Sequence, residues 1–161
     1  MDKDRRGRAA RCAALAVLAV ALPGGVAVAG AAGAASAPTV VAADCGQQLP
    51  ESARQLIRHA GLQLAFAPIP APLPLGRHFA LDIVVCPAPG SVAPTLRAVD
   101  AEMPAHRHGM NYRPSVQALG PGRWRADGLM LHMPGAWRLW FELDPGPGLS
   151  PLRLSQDLQL R

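Results

Sequence analysis

After Gly61 the chain is a succession of short runs, alternating or wholly apolar, each cut off by proline or glycine within roughly eight to twelve residues. That punctuation leaves no room for long helices or for βαβ units, and it restricts the fold to small antiparallel sheets. The runs are "LQLAF" (62–66), "HFALDIVVC" (78–86), "TLRAVDAEM" (95–103), "SVQALGPGRWRADGLMLHM" (115–133), "AWRLWFEL" (136–143) and "PLRLSQDLQL" (151–160). Gly120-Pro121-Gly122 divides the fourth of these into a hairpin. Between the first two, "APIPAPLPLG" carries Pro68, Pro70, Pro72 and Pro74, which remove too many N–H donors for a central strand. The expectation is an all-β chain, an immunoglobulin-like β-sandwich of about seven strands.

Phase within the runs assigns faces. In 95–103, Leu96, Ala98 and Asp100 alternate against Arg97, Val99 and Ala101, and in 151–160 Leu152, Leu154, Leu158 and Leu160 share a face. In 136–143, Ala136, Leu139, Phe141 and Leu143 fall out of one simple phase. Trp124, Trp137 and Trp140 read as core or sheet-face residues. One helix is expected, over "PESARQLIRHAG" (50–61), with Pro50 and Glu51 at its start, Ala53, Leu56 and Ile57 on one face and Gly61 as its stop.

The first 37 residues are of another kind. Lys3, Arg5, Arg6, Arg8 and Arg11 precede the uncharged run "AALAVLAVAL" (13–22), and Pro23-Gly24-Gly25 and small-residue sites follow. This reads as a signal peptide and a small-residue tether, with 38–161 as the exported domain, periplasmic or extracellular, and membrane-tethered if the leader is retained. The net charge of +5 is mostly leader: five Lys/Arg against two Asp there leave 11 against nine, or +2, in residues 38–161. A balance that modest gives no basis for nucleic-acid binding. Cys45 and Cys86 are the cysteines outside the leader, and in an oxidising compartment a disulfide is the expected state; free thiols that join a metal site are the alternative.

The chemistry concentrates in two segments, "MPAHRHGM" (103–110) and "MLHMPG" (130–135). They hold every methionine after the leader and three of its five histidines, His106, His108 and His132. Residues two apart on an extended backbone face one way, so His106, His108 and Met110 form one set and Met130 and His132 another, with Met133 beyond. Thioether and imidazole together suit copper, Cu(I) above all. Zinc would draw more on carboxylate or thiolate, and calcium on oxygen clusters. Two or three of His106, His108, Met110, Met130, His132 and Met133 are the candidate ligands. The competing reading is packing, with the methionines as core gap-fillers and His132 bonded to a backbone carbonyl. His59 and His78 lie outside the cluster and read as surface residues.

"DAEMPAHRHGMNYRPSV" followed by "GPGRWRADGLMLHMPGAWRLWFEL" resembles the YtkA-like domain family, which is related to FixH-like accessory proteins. The resemblance covers about residues 77–145. It implies an immunoglobulin-like fold and a role in copper handling or in assembly of membrane oxidases, with Met103, His106, His108, Met110 and Met133 at motif positions. The partner so implied is a copper donor or acceptor, or an oxidase assembly protein. The FixH-like branch carries a membrane-spanning segment, which this chain has only if the leader stays.

The function expected is thus copper handling without catalysis. Asp100, Glu102 and His106 approach an acid/base group, but no nucleophile with a positioned base is readable, and no small-molecule substrate is evident. The alternative is an envelope interaction module that binds no metal and docks a protein through residues 106–113, with Arg107, Tyr112 and Arg113 in contact.

Overall fold

A computed structural model of the chain describes residues 45–161; the expected signal peptide and tether lie outside the described residues. Nine strands follow in order: β1 Gln55–His59, β2 Leu62–Ile69, β3 Phe79–Cys86, β4 Thr95–Met103, β5 His108–Gly109, β6 Ser115–Gly120, β7 Arg123–Leu129, β8 Gly135–Asp144 and β9 Leu152–Leu160. They form two antiparallel sheets, ordered β1-β2-β3-β7-β6 and β5-β4-β8-β9, and the expected β-sandwich is present. Between the sheets lies one core built on Phe66, Leu81, Ile83, Trp137, Leu139 and Phe141.

No helix forms over residues 50–61. A single turn at Glu51–Ala53, closed by the Ala53 N–H on the Pro50 carbonyl, gives way to β1. β1 pairs with β2 across Ala60-Gly61, both at positive φ (46° and 84°), the signature of a tight type I′ hairpin. Gly61 is therefore a turn residue and not a helix stop. The helical spacing misled because β1 buries both faces: Ile57 packs on the main core while Ala53 and Leu56 pack on a second cluster outside the sheet.

That second cluster joins Cys45 and Leu49 to Ala65, Ala67 and Val84 on the outer face of β2 and β3. The disulfide between Cys45 and Cys86, with Cα atoms 5.9 Å apart, fastens this segment to the end of β3 and removes both thiols from any metal site. Gly46 lets the backbone pass so close that a Cβ there would meet the Cβ of Ala65 at 2.3 Å. Pro68 does enter a strand, but β1 begins only opposite Phe66, so at Pro68 one side of β2 is locally an edge and its missing N–H costs no ladder bond.

A bulge between Leu96 and Ala98 shifts the phase of β4, so that Leu96, Val99, Ala101 and Met103 point inward and Ala98 does not. In β8 the inward set is Trp137, Leu139, Phe141 and Leu143, in strict alternation, because Ala136 is outside and Trp137 takes its place. The outer faces carry ion pairs between neighbouring strands: Arg97 with Asp144, Arg138 with Asp157, Arg153 with Glu142 and Arg125 with Asp82. Hydrogen bonds from Arg97 and Arg138 hold the Asp144 and Asp157 carboxyls below the usual carboxylate range, and the Asp82 carboxylate raises the Arg125 guanidinium.

Two outcomes follow from this arrangement. Changing Cys45 and Cys86 together to serine opens a 41-residue closure and lowers the urea-unfolding free energy by about 4 kcal/mol in the chain-entropy model. A carboxyl with a depressed folded-state pKa stabilises above its unfolded value and loses that contribution as pH falls through the folded one. Urea midpoints are expected to hold from about pH 7 to 5 and to decline below about pH 4, by less in Arg97→Ala, whose contribution is already gone.

Candidate metal centre

β4 ends at the buried Met103, and Pro104, whose missing N–H is no loss at a helical start, opens a single 3-10 turn, Pro104–His106. Arg107 closes the turn in the left-handed region at φ 50°, its N–H bonded to the Pro104 carbonyl. The chain then returns alongside β4, with His108 opposite Met103 and Gly109 opposite Glu102, and the Met110 N–H reaches the Ala101 carbonyl. One face is thereby fixed for His108.

The other segment is fixed by a tryptophan. Past β7, Leu131 is buried and bridges Leu75, and the Gly76 N–H bonds its carbonyl. Trp137, 1% exposed, donates its indole Nε1–H to the Met133 carbonyl at 2.9 Å, which clamps the loop His132–Gly135 against the start of β8. The His132 ring stands edge-on to the indole, centroids 5.8 Å apart.

These two devices bring His108 and His132 together. Their Nε2 atoms lie 2.8 Å apart, with ring planes at 77°. Both rings are half-buried. Two bare imidazole lone pairs aimed at each other across that distance would repel, so the contact is a hydrogen bond in which one Nε2–H donates to the lone pair of the other Nε2.

The remaining candidates are distributed around this pair. His106 is exposed on the 3-10 turn and takes no part in the ring contact. Met103 is 3% exposed within the core, while Met110 and Met133 are half-buried and packed against it. Met130 is half-buried. His59 is exposed at the end of β1, and the exposed His78 stacks edge-on against Tyr112. Asp100 accepts its neighbour's N–H from Ala101 and makes no group with His106. Among the described residues no three His, Cys, Asp or Glu side chains gather as metal ligands, so the closed set typical of structural zinc is not offered here. A metal held by these two histidines would take its other ligands from sulfur, water or a partner's atom.

A groove of about 430 Å³ leads away from His108 over the outer face of the second sheet, bounded by Pro104, Arg107, Glu102, Asp100 and Arg153 with Trp140 between. Trp140 lies under the guanidinium groups of Arg138 and Arg153, 5.8 and 5.2 Å from the ring centre. Sequence spacing gave no sign of this groove, because its residues come from four strands and a turn.

No protein-family model and no curated protein matches the chain. Among solved structures, a DUF4426 family protein from Pseudomonas aeruginosa PAO1 is similar, with a TM-score of 0.48 and 7% identity over 69% of this chain and 97% of that one.

The ring contact has a direct readout. At neutral pH, long-range ¹H–¹⁵N spectra are expected to show one of His108 and His132 carrying a proton on Nε2 and the other with a bare Nε2. His108→Ala leaves His132 without that partner and destabilises by about 1 kcal/mol in urea unfolding.

Proposed function

We propose that the chain is an exported, non-enzymatic copper-handling protein that holds the ion between His108 and His132 and passes it to or from a partner. The observation that carries this reading is the 2.8 Å approach of the two Nε2 atoms. Methionine sulfurs complete the shell. Met110 and Met133, each within two residues of a paired histidine and only half-buried, are the nearest to hand along the chain. Soft sulfur with imidazole selects copper among the common ions. Met103, sealed in the core, supports β5 from below, and the exposed His106 serves as an entry ligand ahead of the fixed pair.

The ring spacing bears on oxidation state. With metal–nitrogen bonds of about 2.0 Å, ligands at right angles stand about 2.8 Å apart and tetrahedral ones about 3.3 Å. The pair as it stands suits the tetragonal geometry of Cu(II), and the rings part by about half an ångström to accept Cu(I) with thioethers. A site that costs little to open in this way releases its cargo readily, which suits a carrier. The Cys45–Cys86 disulfide supports an oxidising compartment, periplasmic or extracellular. The YtkA-like resemblance of residues 77–145 supports the same copper role, with membrane oxidase assembly as its setting.

A second reading, a docking module that binds no metal, draws on the exposure of Arg107, Tyr112 and Arg113 in the same loop. Titration with Cu(I) against a chromophoric chelator separates the two. The native protein is expected to capture one equivalent, His108→Ala/His132→Ala to lose affinity by at least about a hundredfold, and His106→Ala to lose about tenfold or less. No capture by the native protein would leave the docking reading standing.

A further inference from the structure

The end of the sandwich away from the histidine pair presents apolar side chains to solvent. Its four connections, residues 60–61, 87–94, 121–122 and 145–151, contain no ionisable side chain, and seven of their nineteen residues are proline. Val92 and Leu149 on these loops are 87% and 64% exposed, more than any other large hydrophobic residue described. They border a groove of about 470 Å³ whose walls include Leu62, Ala88, Pro94 and Leu152. Apolar side chains held out at loop tips add nothing to the core, and such a patch marks a surface that something else covers. Two further observations bear on what that is. The chain before Cys45 joins the domain at this end, because Cys45 is bonded to Cys86 and the 87–94 loop starts at the next residue; that preceding segment contains the uncharged run 13–22. Arg58, two residues before Ala60-Gly61, and Arg123, directly after Pro121-Gly122, flank the loops and are both exposed. Asp144, which opens the 145–151 connection, is already paired with Arg97.

Independently of the copper reading, we infer that this end of the sandwich docks on a lipid bilayer, with Val92 and Leu149 entering the interfacial layer and Arg58 and Arg123 at headgroup depth. The chemistry of the loops favours a bilayer over a protein partner. Protein interfaces draw on aromatic side chains, arginine and side-chain hydrogen bonds. These loops offer no aromatic residue and, apart from Ser91 and Ser150, no side-chain donor. The prolines serve insertion directly, since each is a backbone position with no N–H to strip of water. Basic side chains at the edge of an apolar tip add attraction to anionic headgroups once the tip is in place. Apolar contact thus selects the bilayer, and the arginines tune which bilayer. The histidine pair, at the opposite end, then faces the aqueous phase and stays open to a partner.

The test reads the tip itself, so it holds whether or not residues 1–37 also bind the membrane. The full chain, with Cys12→Ser so that one thiol is free, carries a polarity-sensitive dye at Val92→Cys or, as the control, at Tyr112→Cys on the histidine end. Vesicles of phosphatidylcholine with phosphatidylglycerol are expected to brighten and blue-shift the dye at position 92 and to leave the dye at position 112 unchanged. Leu149→Asp is expected to lower the ratio of bright to dim dye at position 92 by at least about tenfold, with Leu149→Ser in its place if the aspartate variant does not fold. Arg58→Glu/Arg123→Glu is expected to lower it by about tenfold on the mixed vesicles and by much less on phosphatidylcholine alone. No change at position 92, or equal changes at both positions, would overturn the docking surface. Brightening at position 92 that grows with protein concentration in the absence of vesicles would make the occupant a second copy of the chain and overturn the bilayer. A response that survives Leu149→Asp but vanishes at high salt would mean charge attraction without insertion and would also overturn it. His108→Ala/His132→Ala is expected to keep the response, so loss of copper capture and loss of docking are read separately.

Discussion

The hydrogen bond from the Trp137 indole to the Met133 carbonyl ties the core to the surface chemistry. A tryptophan buried this completely brings a large apolar area into the interior and one N–H that must be satisfied there. Strand partners already use the backbone groups of β8 and its neighbours, so the nearest free acceptor is the carbonyl four residues back, across Pro134 and Gly135. The requirement of the core thereby dictates the path of the loop, and the loop carries His132 against the indole edge. A polar need inside the protein fixes a histidine outside it.

The second histidine is placed by different means. β5 has only two residues, too few to stand alone, and it is held by its ladder to Met103 and Glu102 and by the Met110 N–H on Ala101. Met103, packed in the core, anchors the strand end from which that hairpin springs. The two rings therefore rest on supports of different rigidity, one clamped by an indole and one carried on a short edge strand.

Most of the fold was legible because punctuation and alternation record sheet structure directly. Strand β4 has the bounds its sequence run suggests, and the Gly120-Pro121-Gly122 turn lies between β6 and β7. What failed were the places where a strand buries both faces or changes phase. Ile57 faces the main core and Leu56 the cluster under the disulfide, so β1 shows no period of two. The bulge at Arg97 and Ala98 is invisible to alternation counted across it. The β8 phase was obscured by counting Ala136 as core where Trp137 is the core residue. At the site, spacing grouped His106 with His108, but the 3-10 turn breaks the extended backbone that grouping assumed. The partner of His108 lies 24 residues away, and only the folding of β4 against β8 brings it there.

The charge pattern gives these separate features a common direction. Ion pairs neutralise the flanks of the sandwich, and in the groove beside His108 the unpaired Arg107 stands with the carboxylates of Asp100 and Glu102. A guanidinium group beside a cation site weakens it and a carboxylate strengthens it, and the groove beside His108 carries both. On the proposed copper role, the hydrogen between the two imidazoles would give way to the ion at a place where charges of both signs meet.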